Sequence, residues 1–411
     1  MSHGKVLLEG KMARRLPMGQ KELIRSKVLE MVKQGKLSLK AAVKTLGVSY
    51  RQGIRLYAVY RQEGDEGMIH GNYGRPSNNR TSENILKTAL EAYRNRYYDF
   101  GPTFAAEKLE EEEGIKISVS VLRRLLIEAG EWKGSRHAAE YRSRRERKEH
   151  FGELIQFDGS HHKWFEERGP SCCLITMIDD ARNIRLSRFF EEETTAGAME
   201  VFSCWIRSYG IPEALYCDKK NAFVLTREPT DAELLRGITE PKSHFGKACE
   251  KLGVQVIAAN SPQAKGRVER NHGVDQDRLV KELRLAGIST IAEANKFLEK
   301  TYLPKMNRMF SRPAVKPEDA HVPLGTVDLK DIMCLEYERT VANNYVVRFE
   351  TRLFQILKNN RTRGAQVLPR PKDKVTIRIT LDGNLVILWK DSKLLVKELT
   401  NIKTQEIQNV A

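Results

Sequence analysis

Long apolar runs are missing from this 411-residue chain. None approaches the roughly 18 to 20 residues needed to span a bilayer. The charged start, MSHGKVLLEGKMARR, has no apolar centre of the signal-peptide kind, so a cytosolic protein is expected. Cysteine is sparse. Cys172, Cys173, Cys204, Cys217, Cys249 and Cys334 form no CxxC pair and show no histidine spacing suited to zinc, so they read as reduced, mostly buried small hydrophobes. Negative charge is also short: 54 Asp and Glu against 70 Lys and Arg give a formal charge of +16. A chain of that sign attracts a polyanion, and nucleic acid is the commonest large one.

The positive charge sits at the ends. Residues 1 to 62 hold fourteen Lys or Arg against three Asp or Glu, and residues 351 to 380 hold eight against one. Both regions suit phosphate, with counterion release supplying affinity. In the first, KELIRSKVLEMVKQ spaces Leu23, Val28, Met31 and Val32 for a helix that Gly35 ends. Ser38 then caps LKAAVKTL, Gly47 supplies a left-handed turn, and Ser49 caps a third helix to about Gln62. This is the grammar of a helix-turn-helix, with Arg51, Gln52 and Arg55 near the exposed start of the groove-reading helix. An ordinary three-helix bundle is the plain alternative.

The domains expected are a helix-turn-helix over 1–66, a Gly- and Asn-rich linker over 67–80, and a second helix-turn-helix-like unit over 81–131. In that unit Ser120 is expected to cap VLRRLLIEAG, with the basic pair Arg123 and Arg124 offered to DNA. The unit serves equally well as packing for the first. A basic connector over 132–150 reads as an extended strap along DNA or as a solvated helix. From Gly152 the texture becomes strand, strand, strand, helix, strand, helix, strand, then a long helix, the order of an RNase H-like α/β core over 151–312. After it, alternating apolar residues and the Asp382-Gly383 turn suggest a small basic β-barrel over 313–411.

Within the core, Asp158 interrupts an apolar strand and Asp218 ends another, where an unpaired charge costs several kcal/mol unless it meets a cation. Glu269 stands near the start of the long helix, where an acidic side chain suits the helix dipole. Three such carboxylates suffice to hold two divalent ions. Ions about 3.5 to 4 Å apart stabilise both the attacking and the leaving oxygen of a phosphodiester transfer.

The segments GELIQFDGSHHKWF, LYCDKKNAF and NSPQAKGRVERNHGVDQDRLVKELRLAG resemble the three signature regions of DDE insertion-sequence transposases, specifically the ISNCY-like group related to retroviral integrases. The resemblance extends over most of the chain, and SPQAKGRVER is its most specific part. It implies Asp158, Asp218 and Glu269 as catalytic metal ligands, Mg²⁺ or Mn²⁺ as cofactor, and 3′-end cleavage and strand transfer at the inverted repeats of a mobile element. It further implies double-stranded DNA as partner, a homo-oligomer that joins two ends, and a place on the prokaryotic nucleoid. Fifty residues separate Asp218 from Glu269, against roughly 35 in the wider integrase family; the extra length falls near VLTREPTDAELLRGITEP. Lys163 and His244 stand where that group is expected to carry an acidic residue and a glutamine.

Neighbouring residues allow plainer readings. Asp179 and Asp180 suit a hairpin turn better than a second metal site. His161 and His162 follow Asp158 closely but suit packing or solvent. Lys265, Arg267 and Arg270 surround Glu269 and are placed to bind phosphates of the DNA end. Asn221 can orient a water or phosphate near Asp218, and Trp164 suits the core. A DNA-binding regulator derived from a transposase, or a nuclease that only hydrolyses, would share the basic modules; the regulator should have lost a carboxylate.

Overall fold

A computed structural model of the chain describes residues 18–73, 80–134, 145–218, 227–235, 237, 239–258, 266–358, 368–390 and 392–399. The chain divides into two compact units, 1–134 and 135–411.

The first unit is helical. Helix α1 (Gln20–Lys33) precedes α2 (Leu39–Leu46) and α3 (Tyr50–Glu63). Ser38 caps α2 by accepting from Ala41 N–H at 3.3 Å, and Ser49 caps α3 by accepting from Gln52 N–H at 3.3 Å. Gly47 turns between them at φ 62°, a conformation that costs glycine little. The two helices then close tightly: a Cβ on Gly53 would stand 2.0 Å from Val43 Cγ1. Tyr60 donates to Glu30 Oε2 at 2.5 Å and packs with Leu29 and Met68, tying α3 back to α1. Next come α4 (Glu83–Arg96), α5 (Pro102–Glu113) and α6 (Val119–Glu128). The cap of α6 is Ser118, whose side chain accepts from Val121 N–H, and not the expected Ser120. Valine and serine at the first two helical positions tolerate helix well enough that the sequence offers two caps, and the earlier one wins.

The second unit is built on a mixed five-stranded sheet. Its strands are β1 (Ile155–His162), β2 (Cys172–Asp179) and β3 (Arg185–Phe190), then β4 (Ala214–Cys217) and β5 (Gln255–Ala258) after intervening helices. Their spatial order is β3-β2-β1-β4-β5. The first three form an antiparallel meander, while β4 and β5 run parallel to β1. Helices α7 (Thr195–Tyr209), α8 (Asp231–Leu234) and α9 (His244–Lys251) precede α10 (Gly266–Leu285), α11 (Ile291–Phe297) and α12 (Leu303–Phe310).

Strand alternation sorts the side chains onto two faces. Ile155, Phe157, Cys173, Ile175, Met177, Leu215 and Cys217 meet α7 and α9 in one apolar core. On the opposite face Cys172, Leu174 and Phe189 join Trp164, Leu279, Leu283, Leu298 and Tyr302 beneath α10 to α12. Trp164 is fully buried there and donates its indole N–H to Ser160 O at 3.1 Å, the core role expected of it. The edge of β3 is closed by side chains. Asn295 pairs with both the N–H and the C=O of Phe189 (2.7 and 3.0 Å), and Asn307 does the same for Arg185 (3.0 and 2.9 Å). This satisfies backbone groups that an open edge would offer to another chain.

The C-terminal region departs from expectation. After α13 (Leu329–Ile332) come β6 (Cys334–Thr340), β7 (Val346–Phe349), β8 (Arg352–Ile356), β9 (Lys374–Thr380), β10 (Leu385–Trp389), β11 (Ser392–Lys393) and β12 (Val396–Leu399). Among the described residues they form no closed barrel but two sheets, β11-β10-β9-β6 and β12-β8-β7. The chain changes sheets at one corner: Val341 N–H bonds Asp373 O at 2.9 Å, while Ala342 N–H turns to Val346 O at 2.9 Å. Val341, Val347, Phe349, Phe354, Ile377 and Ile387 fill one core shared by both sheets, so the alternating pattern is satisfied without closure.

None of the six cysteines forms a disulfide, and all but Cys204 are buried. No helix among the described residues is long and apolar enough to cross a membrane.

Candidate active site

Gln156, Asp158 and Ser160 share the face of β1 that lies under α10, and each meets that helix. Val268 N–H donates to Gln156 Oε1 at 3.1 Å, His272 Nδ1 lies 3.9 Å from Asp158 Oδ2, and Gln276 Nε2 donates to Ser160 Oγ at 3.1 Å. The match follows from two repeats: four helical residues advance about 6 Å and two strand residues about 6.6 Å. Helix α10 therefore runs alongside β1, and its apolar positions Val268, Leu279 and Leu283 are buried while Glu269 in its first turn is exposed.

Asp218 follows β4 directly. The parallel ladder pairs Ile155 with Leu215 and Gln156 with Tyr216. Continued two residues past the last of these pairs, that register would bring Asp158 opposite Asp218, on the face away from Leu215 and Cys217, which point into the other core. Both carboxylates are partly buried. Neighbouring strands lie about 4.8 Å apart. The first turn of α10 lies over β1, where Val268 N–H meets Gln156. The oxygens of Asp158, Asp218 and Glu269 do not all come within 4.8 Å of one another. Among the described residues the His, Cys and carboxylate atoms gathered that closely belong to His161, Cys173 and Glu193.

The start of α10 is anchored from below. Asp180 is fully buried and accepts from Arg145, from Lys148 N–H at 2.9 Å, from Gln156 Nε2 at 2.9 Å and from Arg267 Nη1 at 2.6 Å. Arg267 was expected to face DNA phosphates; its side chain is only 14 % exposed and is held by Asp180. Burial among other arginines pushes its guanidinium pKa down. Asp179 and Asp180 do lie where the β2–β3 hairpin turns, and Asp179 accepts from the N–H groups of Gly152 (3.1 Å) and Arg182. Burial pushes Asp179 up to about 6. The described end of the basic connector is unwound and drawn in: besides Arg145 and Lys148, Arg147 donates to Asp180 O at 3.0 Å and Ala181 O at 3.2 Å.

A second buried network crosses the same face one helical turn further on. Arg185 donates to Asn271 and to Asp275 Oδ1 (2.9 Å), Asn271 donates to Asp275 Oδ2 (3.0 Å), and Tyr302 donates to Asp275 Oδ1 (2.7 Å). Sequence reasoning passed over these residues. Asn271 and Asp275 stand on one face of the helix that carries Glu269, and an acidic residue on the buried face of a helix is the available signal.

The remaining residues divide. Arg51, Gln52 and Arg55 are exposed and line one groove on α3, and Arg123 and Arg124 are exposed on α6. Arg270 is exposed beside Glu269. Lys265 and Asn221, with the residues NSPQAK, lie outside the described residues. Lys163 pairs with Glu167 at 2.9 Å. His244 accepts from Glu336 N–H at 3.2 Å and its ring lies tilted against Tyr337, so it joins α9 to the C-terminal sheets; burial lowers its pKa. His162 lies edge-on to Trp164.

Comparisons with known proteins bear on this arrangement. No family model matches the chain. It is 36 % identical over 382 residues to "Putative transposase y4bF" of Sinorhizobium fredii (strain NBRC 101917 / NGR234), covering 92 % of this chain and 81 % of that protein. It is 28 % identical over 409 residues to the transposase for insertion sequence IS1202 of Streptococcus pneumoniae, covering 90 % and 85 %. Among solved structures, the integrase catalytic core domain of HTLV-2 in complex with magnesium overlaps 36 % of this chain and 80 % of its own at 19 % identity and a TM-score of 0.27. The simian T-cell lymphotropic virus intasome overlaps 77 % and 99 % at 13 % identity and 0.31. Overlaps this loose carry no weight beside the two sequence matches. By its identity and coverage against the Sinorhizobium protein, the chain belongs to the transposase family.

Proposed function

We propose that the protein is an active DNA transposase of the DDE type, with an RNase H-like core similar to the ISNCY-like group, that binds the inverted-repeat ends of a mobile element and catalyses 3′-end cleavage and strand transfer into target DNA. The observation that supports this reading is the β1–β4 register, which, continued by two residues, would put Asp158 alongside Asp218 on the face covered by α10, whose first turn bears Glu269. Three hard oxygen donors on one face suit Mg²⁺ or Mn²⁺, and a thiol or imidazole set would not. Asp158, Asp218 and Glu269 are the residues that would hold two such ions, which when bound supply charge stabilisation to the attacking and leaving oxygens of the phosphodiester.

The chain's own contribution is position. The ladder from Val268 to Gln276 fixes α10 along β1, and Asp180 holds Arg267 and Gln156, so the backbone of Glu269 is placed while its exposed side chain can change rotamer at small cost. Arg270, and Lys265 beyond the described residues, are offered to phosphates of the DNA end. Arg51, Gln52 and Arg55 on α3 are offered to base edges in the major groove, and Arg123 and Arg124 on α6 to the backbone. Two element ends must be joined, so the working form is a homo-oligomer on double-stranded DNA.

The test supplies purified protein with labelled DNA carrying its flanking inverted repeats, an unlabelled target and Mg²⁺. Label joined covalently to the target supports the reading. Hydrolysis without joining would make the protein a nuclease, and end binding with neither reaction would make it a regulator.

A further inference from the structure

On the opposite side of β1 from Asp158 a different donor set converges. His161 stands directly across the β1–β2 ladder from Cys173, a pairing that sets Cβ atoms about 4.5 to 5.5 Å apart. Cys173 in turn lies across from Phe190 on β3, three residues before Glu193. The chain therefore returns over the same spot, just ahead of the α7 cap Thr194. His161 Nε2 is 3.6 Å from Glu193 Oε2, and the ligand atoms of all three residues lie within 4.8 Å of one another. Gly159 makes the seat: a Cβ there would come 2.7 Å from Glu193 Cδ, so the carboxylate occupies space that any other residue would fill.

We propose that His161, Cys173 and Glu193 form a second metal site, separate from the three carboxylates, that takes Zn²⁺ or a cation of similar softness. Zinc bonds of about 2.0 to 2.3 Å in a tetrahedron place neighbouring ligand atoms roughly 3.3 to 3.8 Å apart. The 3.6 Å between His161 Nε2 and Glu193 Oε2 falls in that span. The Cys173 and Glu193 side chains are buried, at 0 % and 7 % exposed, whereas His161 is 58 % exposed and supplies the side from which an ion enters. Thiolate and imidazole select zinc over magnesium, so the two sites discriminate by chemistry as well as by place. Three protein ligands leave a fourth position for water. A bound ion ties the end of β1 to the start of α7, three residues beyond Asp158. No CxxC-type spacing announces the site, because its donors come from two strands and the loop after a third.

The full-length protein, stripped with a chelator, is titrated with Zn²⁺ alone and in parallel with Co²⁺, whose thiolate bond gives a charge-transfer band in the near ultraviolet. One equivalent per chain, a cobalt–thiolate band and a melting temperature raised by Zn²⁺ are expected. Cys173→Ser should abolish the band, and His161→Ala should weaken Zn²⁺ binding by at least about tenfold and remove the thermal gain. Asp158→Asn combined with Asp218→Asn should leave all three intact, which separates this site from the proposed catalytic one. Absence of the band, or a band and thermal gain unchanged by His161→Ala, overturns the proposal. His161 is exposed, so that variant decides the matter even if Cys173→Ser fails to fold.

Discussion

Replacing Arg267 by glutamine separates two roles for an arginine placed two residues before Glu269. If it serves to anchor α10, the variant loses stability. Its Nη1 bonds Asp180 Oδ1 at 2.6 Å with only 14 % of the side chain exposed, and Asp180 is fully buried. Asp180 keeps three other donors when Arg267 is removed, so Arg267→Gln should cost about 1.5–3 kcal/mol, the range for a hydrogen bond to a charged group. Asp180→Asn removes the carboxylate that faces Arg145 and Arg267 together and should cost about 3–5 kcal/mol, as for a broken buried pair. The Arg145 share stays small because that side chain is 38 % exposed. The double variant should cost less than the sum, by roughly 0.5–3 kcal/mol. Urea unfolding followed by tryptophan fluorescence reads this directly, since Trp164 and Trp205 are buried in the two cores of the same unit. If Arg267 instead meets a phosphate, the unfolding midpoint will not move, and the dependence of DNA-end binding on salt will fall by about one unit of slope. That pair of results would refute the anchoring argument.

Other outcomes follow from separate parts of the chain. Gly53→Ala should destabilise the first unit by about 1–3 kcal/mol, because the new methyl meets the stiff Val43 and overpacks the α2–α3 crossing; a thermal melt of the variant checks this. Arg51→Ala and Arg55→Ala should leave that melt unchanged and weaken binding of the inverted repeats, by about 1–3 kcal/mol for a residue that reads a base, measured by titration at fixed salt. Asp179 titrates near 6 in the fold and near 4 when unfolded, so the native state holds the proton more tightly. Its contribution is then greatest below about pH 4 and is lost as pH rises toward 6, on the order of 3 kcal/mol in all. Asp179→Asn should flatten the stability curve over that window.

Much of the fold was legible because it lies in short-range pattern. Ser38, Gly47 and Ser49 announce two helices and their turn within a dozen residues, and the alternation of apolar runs from Gly152 onward gives the strand, helix and long-helix order that the sheet shows. The position of Asp158 within a strand and of Asp218 just after one also follows locally. What the sequence hid is long-range. Nothing near Asp180 tells that it gathers Arg145, Gln156 and Arg267 from three elements, so the sequence alone does not show that a basic residue beside Glu269 has its side chain turned inward onto a buried carboxylate. Asn295 and Asn307 look like ordinary helix surface until β3 presents its edge to them. In the C-terminal region the alternation announces strands, but whether strands close into a barrel depends on pairing across the chain, and the corner at Val341 sends them into two sheets.

The central claim is that Asp158, Asp218 and Glu269 act together in joining DNA. Its most direct measurement compares end binding and strand joining for Asp158→Asn, Asp218→Asn and Glu269→Gln with Mg²⁺ and with Mn²⁺. Each variant is expected to bind the labelled ends as tightly as the parent protein and to join none of them to target. Joining that persists in any one of the three would contradict the assignment of that carboxylate.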